Sequence, residues 1–468
     1  MRFRVFSYLC TASLLFFLPA KAFSSGGEEK TLNLSECVSI ALDNATAPKK
    51  AQYNLKLQAA DVLRRYGSFL PKLSVSGTWT PYSLSRSYTQ YSDTDYTGIA
   101  KIRTESESLQ FAVTTSLNIF NGFRDYAALQ SAIEKKQAAG YSLSRALETV
   151  AFDVTQAYYQ VLLDRELLQT ARENLLSAKD QLTLTDRQYQ IGLKSLVDLQ
   201  QQQADAAASA LTLIRAENHL KRSTLELIRR LQIDPLSKIT IVPGPGELKI
   251  PSRPKLDIDS LYTLALKKRT DLKSRELEAS AANWQVRESR GARLPRIDLN
   301  FSVATGGTAF LRQSVNDGPE TSYPLPSLWN QLENTPGYTV ALNLSWPLFD
   351  GFQTRYGVET AKIGRMNQLL DLNDLKNNIV IDIQQAAGDY DSAFSEIETA
   401  KVSLKAAESA YNGIQRKYEL GASGFVELSA ARAALFNARS NLSQATFNLA
   451  LQKTVLDFTT GTIPLQQP

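Results

Sequence analysis

Residues 123–190 contain no proline and one glycine, Gly140. Read as a single helix, about 68 residues at 1.5 Å each reach roughly 100 Å, a length that no compact globular domain can hold. Residues 352–420 form a second run without proline, with more glycine. In the first run Leu143, Leu147, Val150, Val154, Ala157 and Val161 step by four and three. Such a stripe is the apolar seam of a helix that packs lengthwise against another helix. The chain therefore builds an elongated body.

Nearly the same phrase introduces each run. "FNGF" (120–123) and "FDGF" (349–352) lie 229 residues apart. The same offset relates "DVTQA" (153–157) to "DIQQA" (382–386), and "RQYQIGLKSLVDL" (187–199) to "RKYELGASGFVEL" (416–428). Nearer the start, "VLRRYGSFLPKLSV" (62–75) matches "VRESRGARLPRIDL" (286–299) at an offset of 224. A duplicated unit follows, with repeats at 23–234 and 257–468 and a Pro/Gly/Ser-bearing linker at 235–256. Each half reads as a helical pattern, two strands, a long helix, a glycine turn and another long helix. The first half places strands at about 71–82 and 108–120 and long helices at about 122–190 and 195–232. The second places strands at about 295–304 and 337–348 and helices at about 352–420 and 424–457.

The strands alternate. Leu109, Phe111, Val113, Leu117 and Ile119 oppose Gln110, Thr114, Ser116 and Asn118, and Tyr338, Val340, Leu342 and Leu344 oppose Thr339, Asn343 and Ser345. A period of two marks a half-buried sheet, and equally a barrel strand with lipid outside and water inside. The polar segments 82–108 and 305–337 read as exposed extracellular loops. Four strands cannot enclose a barrel, and lipid tolerates no open edge, so several chains must contribute. Eight strands or twelve would both give an even count. At the hand-over from sheet to helix, Asn121 and Asp350 are placed to cap the first turn. Gly122 and Gly351 permit the change of direction. Phe120, Phe123, Phe349 and Phe352 supply an aromatic belt at that level.

Little else in the chain suggests chemistry. Its 52 basic and 47 acidic residues give +5, but Arg2, Arg4 and Lys21 lie in the opening "MRFRVFSYLCTASLLFFLPAKAFSS". That segment reads as a secretory signal over 1–22 with Ala20-Lys21-Ala22 as its cleavage site. Ser7, Tyr8 and Leu9 lack the small pair that precedes a lipidated cysteine, so Cys10 is expected to carry no lipid. Without the signal the balance is 49 to 47, which gives no bulk electrostatic case for nucleic acid. Cys37 is then the sole cysteine, expected as a small buried hydrophobe. His219 is the sole histidine, on a helix. No Cys/His metal site, no Ser/His/Asp set and no phosphate loop can be assembled, so the chain is expected to be no enzyme and to carry no cofactor. The glutamine run 200–203 reads as a solvated helix face.

Order and spacing together resemble the TolC-like outer-membrane factor family. The resemblance rests on the duplication, the "LPK" and "LPR" strand starts, the "FNGF" and "FDGF" junctions, and the turns "YQIGLKSLVDL" and "YELGASGFVEL". It covers essentially the whole mature chain. It implies a mixed α and β fold: a homotrimer whose twelve-stranded outer-membrane barrel, four strands per chain, continues into a long α-helical barrel in the periplasm. It further implies the exit duct of a tripartite efflux pump or type I secretion system. The partners would be a periplasmic adaptor protein, an inner-membrane transporter and outer-membrane lipid. A stand-alone trimeric porin or adhesin with a helical stalk is the rival reading.

The resemblance also assigns a gate. Gly192 and Gly421 would sit in the helix turns at the periplasmic tip, where partners dock. Asp198 and Glu427 fall on the family's acidic positions, and Tyr418 on the tyrosine that links to the first-half acid. Tyr189 belongs to the same set. Two family features are missing: Ala430 stands where a second acid is common, and Ser423 where an arginine follows the turn glycine. Arg187 or Arg416 are the candidate substitutes. The rival reading makes Asp198 and Glu427 simple first-turn acids favoured by the helix dipole.

Overall fold

The structure, a computed structural model, describes residues 30–93, 96–237, 239–244, 250–320 and 325–464. The expected signal segment and Cys10 lie outside these residues. In chain order the elements are β1 (Lys30–Leu32), α1 (Leu34–Asn44), α2 (Thr46–Tyr66), β2 (Lys72–Asp93), β3 (Tyr96–Phe120), α3 (Arg124–Gln190), α4 (Leu196–Leu231) and β4 (Ile239–Ile241). There follow α5 (Ile258–Lys268), α6 (Thr270–Gly291), β5 (Arg296–Val315), α7 (Leu328–Asn334), β6 (Gly337–Ser345), α8 (Gln353–Glu419) and α9 (Phe425–Thr459). The helices α3 and α8 have 67 residues each, so both reach roughly 100 Å.

Four of the strands form one antiparallel sheet in the order β2-β3-β5-β6. Val113 of β3 pairs with Val75 on one side and Val303 on the other, and Phe301 pairs with Val340. Most of the apolar face is uncovered, with Val75 72% exposed and Val340 70%, and α7 packs only over its upper part, beside Thr305 and Gly307. Among the described residues the edges β2 and β6 have no strand partner on their outer sides. No described helix is long and apolar enough to cross a membrane.

Helix packing supplies the buried core. Cys37, Val38 and Ala41 of α1 meet Val154, Tyr158 and Val161 of α3 and Leu227 and Leu231 of α4. Cys37 is thus buried in an apolar cluster, and Val154 and Val161 lie on the seam that their spacing predicts. A second cluster joins Tyr390, Phe394 and Ile397 of α8 to Leu449 and Leu456 of α9. Between them Arg269, 4% exposed, donates to Asp271 at 2.7 Å and to the Thr459 carbonyl at 3.4 Å, and lies 3.5 Å from Asp382. That guanidinium ties the α5–α6 corner to α8 and α9.

Three sequence expectations change. Segment 82–108 is not a loop: β2 and β3 continue as a hairpin from Ser83 opposite Ser106 to Asp93 opposite Tyr96. Likewise β5 runs on to Val315, and the supposed loop after it contains α7. Above the apolar band Leu84, Ile99, Phe310 and Leu311 are scattered among Ser, Thr, Arg and Glu without a period of two, so no alternation signals the strand. Its Ser, Thr and Tyr side chains still suit the pleat. Finally, the segment 235–256 contains β4, whose β-branched Ile239 and Ile241 pair in parallel with Lys30 and Leu32.

Candidate functional site

The tip is built from two helix turns of the same design. After α3, the Leu193 amide donates to the Gln188 carbonyl at 2.8 Å and the Gly192 amide to the Tyr189 carbonyl at 2.9 Å. After α8, Ala422 donates to Lys417 at 2.8 Å and Gly421 to Tyr418 at 3.1 Å. Both are Schellman closures, which need a left-handed residue after the helix. Gly192 at φ +80° and Gly421 at φ +75° supply it.

The next helices start differently. Ser195 closes a capping box on α4: its hydroxyl accepts from the Asp198 amide at 3.1 Å, and the Asp198 carboxylate accepts from the Ser195 amide at 3.1 Å. The Ser195 hydroxyl also donates to that carboxylate at 2.8 Å. These bonds from Ser195, with Lys194 nearby, hold the Asp198 carboxyl below its usual pKa. The helix α9 has Gly424 at its N-cap and no side-chain cap, while the Ser423 hydroxyl donates to the Glu427 carboxylate. Within the chain, then, Asp198 and Glu427 are each engaged by a serine of their own turn.

Tyr418 is 2% exposed, and its hydroxyl has no hydrogen-bond partner. It does not bond Asp198. Its ring instead carries the Lys194 ammonium, 4.2 Å from the centroid. Tyr189 is partly exposed, and the Arg187 and Arg416 side chains are exposed. No ion pair is recorded for either arginine among the described residues.

Sequence reasoning missed a different pair. Arg432 of α9, 8% exposed, forms an ion pair with Asp205 of α4. Ser429 adds a 3.5 Å bond to the Asp205 carboxylate. Burial pulls the Arg432 guanidinium below its ordinary pKa. The pair crosses from the hairpin of α3 and α4 to that of α8 and α9, about two to three turns in from the tip. A signal existed: at the 229-residue offset Asp205 corresponds to Ala434 and Arg432 to Gln203, so each charge interrupts the repeat. Further along, Arg439 lies 3.3 Å from Glu173, and the Ser177 and Tyr411 hydroxyls are 3.4 Å apart. Gln202 is also not solvated; it is fully buried and donates to the Ala178 carbonyl at 3.4 Å.

At the other end of the long helices, Asn121 accepts from the Asp125 amide at 3.4 Å and Asp350 from the Thr354 amide at 2.8 Å. Gly122 and Gly351 are left-handed, at φ +70° and +65°. Phe123 and Phe352 are left-handed too, which the sequence did not indicate. Phe120 meets Phe123 edge-on at 5.4 Å, and Phe349 meets Phe352 at 5.5 Å.

The comparisons agree with this architecture. The chain is similar to the protein CyaE of Bordetella pertussis, 26% identical over 87% of this chain and 79% of that protein. It is 20% identical to the outer membrane protein TolC of Escherichia coli over 75% of this chain and 70% of that one. The solved CmeC outer membrane channel of Campylobacter jejuni superposes with a TM-score of 0.75 at 18% identity, covering 93% of this chain and 87% of its own. The model of the outer membrane efflux protein family matches residues 37–231 and again 261–462, and the chain belongs to that family.

Proposed function

We propose that the chain is the outer-membrane exit duct of a tripartite efflux pump or type I secretion system. Three copies close a twelve-stranded barrel, and the long helices project into the periplasm. The observation that carries this reading is the four-stranded sheet: its apolar face is exposed, both its edges are open, and it is joined to helices of roughly 100 Å. Lipid would solvate that face, and only closure between chains would remove the edges. The duct carries no chemistry of its own. Energy comes from an inner-membrane transporter, coupled through a periplasmic adaptor that meets the turns at Gly192 and Gly421.

The tip is the gate. The first-turn acids support a weak latch, since each is held by a neighbouring serine. Arg432 and Asp205 hold the two hairpins together more firmly, because the arginine is buried. Glu427 supplies an acidic ring when three copies converge. Single-channel conductance of the purified protein in a planar bilayer tests this reading. A small wild-type conductance that rises in Arg432→Ala and less in Asp198→Ala is the expected result. A large conductance, equal in all three proteins, would mean a permanently open porin.

A further inference from the structure

Within one chain the two halves meet through β3 and β5, and through α3 and α6. Leu117 pairs with Leu299 and Ser116 with Asn300. Below the sheet the Gly122 and Gly291 backbones touch: a Cβ on Gly122 would lie 2.3 Å from the Gly291 carbonyl oxygen. Along the helices the Ser142 and Ser274 hydroxyls share a 2.9 Å hydrogen bond.

The elements on the chain's two outer edges occupy the same places in the sequence repeat. The helix α3 starts at Arg124 and α8 at Gln353, 229 residues on; α6 starts at Thr270 and α2 at Thr46, 224 residues back. Yet their matching surfaces are uncovered. Gly351 and Gly67, the counterparts of Gly122 and Gly291, both face open space. The last residues of β3, 117–120, reach past the start of β2 and pair with β5 alone. Their counterparts, 346–349, follow β6 and pair with no strand, and Leu348 is 84% exposed. The helix α2 exposes Tyr53 and Leu57, and α8 exposes Tyr356 and Ile363.

We propose that the chain carries the template of its own subunit seam. In this proposal, which rests on the trimeric reading above, β6 and α8 of one copy meet β2 and α2 of a second copy in the register that joins β3 and α3 to β5 and α6. Transferring the offsets sets Trp346 opposite the partner's Val75, Ser345 opposite the partner's Ser76, and Leu344 opposite the partner's Gly77. Gly351 lies against the partner's Gly67. Outward residues meet outward residues, as the pleat demands. The strand direction keeps alternating, because the sheet has an even number of antiparallel strands. Charge complementarity supports the same register. The Ser142–Ser274 pair transfers to Asp371 and the partner's Lys50, two exposed groups with no ion pair among the described residues of their own chain. A neutral contact inside the chain becomes an attraction of opposite charges between chains.

Paired cysteines in the full-length protein, assembled in outer membranes, test the register. Ser76→Cys is combined in turn with Ser345→Cys, Asn343→Cys and Ala341→Cys, and oxidation is read on non-reducing gels against the single variants. The Ser345 combination should cross-link most and stop at three chains. Stronger cross-linking through Asn343 or Ala341, a slip of two or four residues, would overturn the proposal. Separately, Lys50→Asp and Asp371→Lys should each lower the fraction of assemblies that survive detergent, and the double exchange should restore it. Single variants without effect, or a double variant no better than either, would remove the helix contact. A wild-type native mass other than three chains, or cross-linked species beyond three, would sink the trimeric reading itself.

Discussion

Arg432 and Asp205 form an ion pair between α9 and α4, and the arginine is almost wholly buried. Removing Asp205 alone strands that guanidinium in the interior, which costs about 3 kcal/mol for a pair of this kind. Replacing both by leucine removes the unpaired charge. Asp205→Leu should therefore lower the melting temperature of the helical signal more than Asp205→Leu/Arg432→Leu does. Circular dichroism melts of the wild type and the two variants decide it, and a double variant worse than the single would contradict the burial argument.

Asp198 closes the capping box of α4. Its depressed pKa sets the sign of its pH dependence: the stabilisation is present above the ordinary carboxylate value of about 3.9 and is lost as pH falls through the lower folded value. Asp198→Ala should speed amide exchange in the first turn of α4 roughly fivefold at neutral pH, for a cap worth about 1 kcal/mol. Near pH 2 the two proteins should exchange alike.

Burial raises the pKa of Asp457 against the partial compensation of Lys453. A raised folded pKa means that the contribution to stability is complete below about 3.9 and is lost as pH rises through the folded value. Asp457→Asn should accordingly melt about 1–3 °C higher at pH 7.5 and show no gain near pH 3. A variant that melts lower at pH 7.5 would mean that the carboxylate has a partner worth more than its burial costs.

The Tyr418 hydroxyl is buried without a partner. Deleting an unsatisfied polar group does not destabilise a fold. Tyr418→Phe should keep or raise the melting temperature and leave the conductance unchanged. An increase in conductance would show that this hydroxyl bonds across the assembled tip.

Gly122 and Gly351 share a left-handed backbone but not a neighbourhood. Gly122→Ala would drive a methyl into the Gly291 carbonyl, so it should block folding of the junction. Within one chain Gly351→Ala costs only the backbone strain, about 1–2 kcal/mol. Across the seam proposed above it would also strike the partner's Gly67. The isolated Gly351→Ala chain should therefore fold, while its yield of heat-resistant assemblies falls toward that of Gly122→Ala.

Local pattern determined much of this protein. The absence of proline fixed the two long helices, the apolar stripe marked Val154 and Val161 as packing positions, and the period-two residues fixed which strand face is apolar. The turn glycines were legible because a left-handed residue at a helix end is a local need. Tertiary structure decided what local pattern cannot carry. The upper halves of β2, β3 and β5 have no apolar face, so only pairing reveals them as strands. The left-handed Phe123 and Phe352 follow from the path the chain takes between sheet and helix, not from their own preference. Above all, Asp205 and Arg432 stand 227 positions apart and look like ordinary surface charges until the two hairpins fold side by side and bury the arginine. The repeat marks each charge as an exception, but that the two pair with each other is a long-range contact that only the folded hairpins establish.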